Sequence, residues 1–256
     1  MTTVFVSHGA PTLILEPGET GRMLADLARA LPRPGAILVV SAHWDTRVPT
    51  VSLASFPETI HDFSGFPAEL YAKQYPAPGA PGLADQVVEL LQASGIFTQT
   101  HPDRGLDHGA WVPLSLMYPV ADIPVTQLSI QSRHTPAQQF ALGQALQPLH
   151  AQNILILASG AVTHNLSDFF TGDRDVAPLS YVNLFADWVA DQLAKEQSQT
   201  LLNYRMESRE GSQAHPSEDH LMPLFVAAGS GTGIPKRYVP ETTYGILAMD
   251  AYVWEQ

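Results

Sequence analysis

Short, mostly apolar runs alternate with amphipathic stretches along this chain, and the alternation predicts a layered α/β domain. Residues 3–6, 36–41, 124–130 and 153–158 are rich in Val, Ile and Leu, as strands covered on both faces tend to be. Helical spacing appears between them. Leu83, Val87, Leu90 and Leu91 share one face of residues 82–94, and Val182, Phe185, Val189 and Leu193 form a stripe within 179–196. Thr135 followed by Pro136 reads as a helix start, with Phe140, Ala141, Ala145 and Leu149 behind it. Residues 244–254 read as a C-terminal strand.

No repeat, linker or low-complexity tract divides the 256 residues, so a single domain spanning 1–256 is expected. Residues 55–81 are the irregular exception, with five prolines and the aromatics Phe56, Phe63, Phe66, Tyr71 and Tyr75. A stretch of this kind is either a cover over a functional site or a proline-stiffened surface loop.

Composition narrows the function. A formal net charge of −12 disfavours phosphate-rich partners, so neither nucleic acid nor an anionic membrane surface is expected as a partner. No apolar run reaches the ~18 residues needed to span a bilayer, and the first residues lack a basic, signal-like segment. Cysteine is absent, which fits a reducing, cytoplasmic setting. It also leaves His, Asp and Glu as the only strong metal ligands, and there are ten histidines.

Their positions matter more than their number. His8 follows the first predicted strand, His43 the second, and His164 the strand at 153–158. Ligands of open α/β sheets bind beyond the carboxyl ends of strands, so these three could converge. In His215-Pro216-Ser217-Glu218-Asp219-His220, Ser217 reads as a helix N-cap that places Glu218, Asp219 and His220 in the first turn. The two acids suit the helix dipole there. His220 suits it only as a neutral imidazole, as it would be on a metal. His108, in Gly105-Leu106-Asp107-His108-Gly109, reads as a loop residue suited to proton transfer or a substrate hydrogen bond. His61 lies in the aromatic segment and could reach over a pocket. Trp44 and Trp111 stand beside candidate site histidines and could form a flat apolar slot, or could be core. His-Glu-x-x-His, Gly-x-Ser-x-Gly and a phosphate-binding glycine loop are all absent.

Ser7-His8-Gly9-Ala10-Pro11, Ser41-Ala42-His43-Trp44, Asp107-His108-Gly109-Ala110-Trp111, Thr163-His164-Asn165-Leu166 and His215-Pro216-Ser217-Glu218-Asp219-His220 occur in that order. The ordered set resembles the class III (LigB-like) extradiol ring-cleavage dioxygenases of the DOPA 4,5-dioxygenase type. Residues 59–67, Thr-Ile-His-Asp-Phe-Ser-Gly-Phe-Pro, resemble a further family segment.

The resemblance implies a three-layer α/β/α domain with a mixed central sheet. It implies Fe(II) as the working metal, with a catechol and O2 as reactants. His8 and His43 match the family's metal histidines, and His220 matches a further ligand position of the DOPA-type branch. LigB-type enzymes use a glutamate as third ligand, so Glu218 stands as an alternative. His164 matches either the acid–base group or a residue close to the metal, with His108 the second acid–base candidate. Imidazole ligands bind Zn(II) more tightly than Fe(II), so zinc is a competitor for the site in isolated protein. A zinc-dependent hydrolase and a non-catalytic binding protein are the competing functional readings.

Overall fold

Ile37 and Val39 face one side of a sheet and Leu38 and Val40 the other, and all four are fully buried. Side chains alternate along a strand, so burying both sets requires a layer of helices on each face. The computed structural model, which describes residues 2–169 and 172–255, has this three-layer form. The strands are β1 (Thr3–Ser7), β2 (Ala36–Asp45), β3 (Thr50–Ser52), β4 (Gln99–His101), β5 (Val125–Ile130), β6 (Ile154–Gly160), β7 (Lys236–Tyr238), β8 (Thr242–Thr243), β9 (Leu247–Ala248) and β10 (Ala251–Trp254). Eight form one sheet in the order β4-β3-β5-β2-β6-β1-β10-β7, and β8 pairs with β9. The central β5-β2-β6-β1 block is parallel, while β3 against β5 and β10 against its neighbours β1 and β7 are antiparallel. The expected mixed sheet is therefore present.

On one face, the helices Gly18–Ala30 and His108–Met117 pack on Val4, Val6, Ile37, Val39, Leu155 and Leu157. The other face, with Phe5, Leu38, Val40, Ile156 and Ala158, is covered by helices Pro81–Ala93, Pro136–Ala145, Ser180–Ala194 and Met222–Ser230. Thr135 caps its helix as expected. Its hydroxyl accepts from Gln138 N, and Gln138 Oε1 accepts from Thr135 N, a reciprocal capping box.

Adjacent β2, β6 and β1 run in parallel, with Ser41 and Val6 both opposite Ser159 and Ser7 opposite Gly160. Their carboxyl ends therefore lie level along one edge. His8 directly follows β1, and His164 comes four residues after β6. His43, expected after the second strand, lies inside β2, within an irregularity where Ser41 and Asp45 oppose successive residues Ser129 and Ile130 of β5. Such an irregularity re-aims the side chains it carries.

Three expectations need correction. The helix after His215 begins at Met222, so Ser217 is not its cap and His220 lies in the preceding turn. Tertiary pairing overrides the local signal, because the His220 carbonyl accepts from Ala161 N at 2.8 Å beside the end of β6. Residues 244–254 split into part of the β8–β9 hairpin and β10. His108 is the first helical residue behind the N-cap Asp107, whose side chain accepts from Ala110 N. Segment 55–81 carries a short helix, Ala68–Tyr71, and is anchored by buried Tyr75, whose hydroxyl donates to Tyr118 O.

Gly160 permits the close approach of β6 to the His220 turn, since a Cβ there would lie 2.2 Å from His220 O. Gly160→Ala is expected to destabilise the fold by about 1–3 kcal/mol, the usual cost of overpacking a tight contact. Urea unfolding checks this, and an unchanged midpoint would contradict it.

Candidate metal centre

His8, His43 and His220 meet in space although they are far apart in sequence. His8 Nε2 lies 3.1 Å from His43 Nε2, which lies 3.3 Å from His220 Nε2. The outer nitrogen of each ring has an oxygen partner. His8 Nδ1 lies 3.0 Å from Ser159 Oγ, whose own proton goes to Gly109 O. His220 Nδ1 lies 2.6 Å from Asp219 Oδ2, and His43 Nδ1 is 3.3 Å from Asp62 Oδ2. These partners place the protons on Nδ1 in all three rings, so three Nε2 lone pairs face one another.

Burial keeps the rings neutral. His8 is held well below the ordinary histidine range by burial and by the neighbouring His43 and His220. Burial, with His108 next to it, lowers His43 to about 4. Burial lowers His220 to about 3, even though Asp219 pulls the other way. The two carboxylates behind the rings are both held ionised. Burial alone would raise Asp62, but its hydrogen bonds from His108 bring it down to about 2. Burial likewise opposes the ionisation of Asp219, and the His220 hydrogen bond outweighs it.

Facing lone pairs at this separation repel unless a cation lies between them. Three neutral imidazoles, each oriented by an oxygen on its far nitrogen, form a donor set that fits a divalent first-row metal ion. All three rings line a cavity of about 460 Å³, which leaves that side accessible to a substrate.

His164 lines the same cavity but is not a fourth ligand in this arrangement. Its ring stacks on His220 with centroids 3.5 Å apart and planes within 4° of parallel. An imidazole lone pair lies in the ring plane, and two parallel planes share no point at which one ion could sit. His164 is therefore a neighbour of the centre, with burial lowering its pKa. His108 also reaches the cavity. Its backbone N and its Nδ1 both approach Asp62 Oδ1, at 2.9 and 3.0 Å.

Buried Asp107 holds this corner together. It accepts from Ser41 Oγ at 2.6 Å, Gln127 Nε2 at 2.7 Å and Arg104 Nη2 at 3.1 Å, joining β2, β5 and the helix that begins at His108.

Other expected site residues lie elsewhere. Glu218 pairs with Arg205 at 3.0 Å and is not part of the histidine cluster. Trp111 is fully buried in the core and donates its Nε1–H to Ile60 O. Trp44 is buried beneath the Arg104 guanidinium. His61 faces Lys73 O and packs edge-on against Trp111. None of these three lines the cavity, where Phe63 and Phe66 of the same aromatic segment do. Sequence reasoning passed over Asp62, the immediate neighbour of His61, and Ser159. It read Asp219 only as a dipole partner.

Comparison with known proteins agrees with this geometry. The family model for the catalytic LigB subunit of aromatic ring-opening dioxygenase matches residues 3–250. The 4,5-DOPA dioxygenase extradiol of Beta vulgaris is 39% identical over 256 residues, covering 98% of this chain and 95% of that protein. The protein of the same name from Escherichia coli K12 is 40% identical over 236 residues, covering 91% and 86%. A crystal structure of an uncharacterized Escherichia coli K12 protein matches with a TM-score of 0.83 at 35% identity, covering 100% of both chains.

Two outcomes test the centre. Replacing His8, His43 or His220 by Ala should abolish stoichiometric metal binding, measured by elemental analysis after loading and desalting, whereas His164→Ala should retain it. Equal loss in all four would make His164 a ligand. The metal-free protein should also lose stability as pH falls below about 6.5. There the unfolded chain's histidines take up protons that buried His43, His220 and His215 do not accept until about 4, 3 and 3. Urea unfolding in chelator at several pH values measures this, and a midpoint that rises on acidification would contradict it.

Proposed function

The chain belongs to the family of the catalytic LigB subunit of aromatic ring-opening dioxygenase, and from that premise we propose that His8, His43 and His220 hold one Fe(II) at which a catechol is opened. The protein is an extradiol aromatic ring-opening dioxygenase. DOPA, the substrate in its relatives' names, supplies the vicinal diol and ring that define the proposed class. The observation that carries the reading is the convergence of three Nε2 atoms on the wall of a cavity wide enough for an aromatic ring. The hydrolase and binding-protein readings have no such support from the family.

Fe(II), when bound, supplies the redox chemistry that lets O2 react with the ring. The remaining work belongs to side chains. An ion held by these three side chains would remain approachable from the cavity, as non-heme iron oxygenases require. The apolar walls exclude water and hold the ring flat. His108 is the general base, because Asp62 fixes its Nδ1–H and leaves Nε2 to accept a proton from a catechol hydroxyl. His164, stacked on His220 at the cavity wall, is the second proton-transfer group, placed to protonate the opened product. Asp62 acts through both His43 and His108, so one carboxylate orients a metal ligand and a base together.

Anaerobic loading with Fe(II), followed by catechol and air, should give O2 uptake and a visible-absorbing ring-opened product. The zinc-loaded protein should give neither, and ring opening by zinc-loaded, iron-free protein would refute the assignment. Asp62→Asn should lower kcat by roughly 10–100-fold and weaken metal retention, as loss of a ligand-orienting partner does elsewhere. His108→Gln should lower kcat by about 100-fold or more at full metal occupancy. Stopped-flow absorbance with parallel metal analysis separates the two, and unchanged turnover in His108→Gln would remove it from the mechanism.

A further inference from the structure

Beyond the histidines the walls are largely apolar, the exceptions being Tyr244, whose hydroxyl meets Thr12 Oγ1, and Ser7, whose hydroxyl accepts from Val162 N. Phe63, Phe66, Leu166, Phe169, Ile246 and Met249 line the cavity, and among the described residues no Lys, Arg, Asp or Glu does. Arg174, two residues past Gly172, lines a small adjoining pocket that shares Gly9, Ala10, Tyr244 and Met249 with the cavity. It is paired there with Glu241, whose other oxygen accepts from Thr20 N, so the nearest guanidinium already holds a carboxylate.

The apolar surface continues to the mouth. Leu166 is 63% exposed and Phe169 46% exposed, yet both belong to the cavity lining. Large side chains left this accessible at a cavity rim mark a place where an apolar ligand group is received. A ring seated with its two hydroxyls at the histidines fills only part of about 460 Å³, so a ring substituent must run along these walls. An ammonium and a carboxylate on that substituent would lose hydration along walls with no charged side chain among the described residues. A hydrocarbon substituent would gain from burial.

We propose that the cavity takes catechols bearing an uncharged, apolar substituent in preference to those bearing a charged amino-acid tail such as that of DOPA. The proposal rests on the ring-opening reading above for the diol end of the ligand, and on the lining alone for the tail.

Calorimetric titration of the zinc-loaded protein, which binds without turnover, separates the two. The probes are catechol, 4-methylcatechol, 4-butylcatechol, L-DOPA and 3,4-dihydroxyphenylacetate. The Kd should fall by up to about fourfold for each buried methylene, and 4-butylcatechol should bind at least tenfold more tightly than L-DOPA. Leu166→Arg, at an exposed rim position that tolerates a long polar side chain, should tighten binding of 3,4-dihydroxyphenylacetate severalfold and weaken that of 4-butylcatechol. The iron-loaded enzyme should follow the same order in kcat/KM. L-DOPA binding as tightly as 4-butylcatechol, or no response to Leu166→Arg, would overturn the proposal while leaving ring opening intact. If the binding order holds but no catechol is opened by the iron-loaded protein, the functional reading fails and the ligand class stands.

Discussion

Three imidazole lone pairs gathered within 4.8 Å, with His43 little more than 3 Å from each of the other two, are the constraint around which this molecule is organised. Such a cluster is unfavourable by itself. It persists because each outer nitrogen donates to an oxygen held by a different part of the fold. Ser159 stands on β6, Asp62 comes from the aromatic segment, and Asp219 lies in the turn before the last long helix. Burial raises the stakes by forbidding protonation as a way to relieve the clash. A dication is the species that turns this repulsion into binding.

Charge is divided between two shells. The inner donors are neutral, and the two carboxylates behind them are held ionised, so a dication at the centre would be offset without a carboxylate touching it. That differs from the glutamate-ligated pattern the family resemblance brings to mind. It also explains why Glu218 can be spent on an ion pair with Arg205. Asp62 has a second task, since the same carboxylate fixes His108. The level ends of three adjacent parallel strands make this arrangement possible, and buried Asp107 ties two more elements to it.

Much of this was legible in the residue order. Apolar runs located β1, β2 and β6, as expected of strands buried on both faces, and β5 was found from Val125, Leu128 and Ile130 although it also buries Thr126, Gln127 and Ser129. The Thr135 cap was readable because its partners lie within four residues. Of the three clustered histidines, His8 and His43 were picked out by their place at strand ends, and His220 by its misfit as a cation in a helix first turn and by family resemblance. What stayed hidden depends on tertiary geometry. Trp44 follows His43 in a strand, so the two point to opposite faces and the tryptophan turns away from the cavity. Trp111 was drawn into the core by its helix. Asp62 lies 46 residues from the His108 it orients, in a stretch with no periodicity to aim its side chain. The start of the last long helix was misplaced because a backbone bond to Ala161 holds His220 in a turn that Ser217 could otherwise have capped.

X-ray absorption at the metal edge tests the central claim most directly. For the iron-loaded protein without substrate, the account predicts three histidine nitrogens at about 2.0–2.2 Å, typical of metal–imidazole bonds, with imidazole outer-shell scattering and the remaining positions filled by solvent oxygen. One imidazole or none, with carboxylate oxygens in their place, would contradict it.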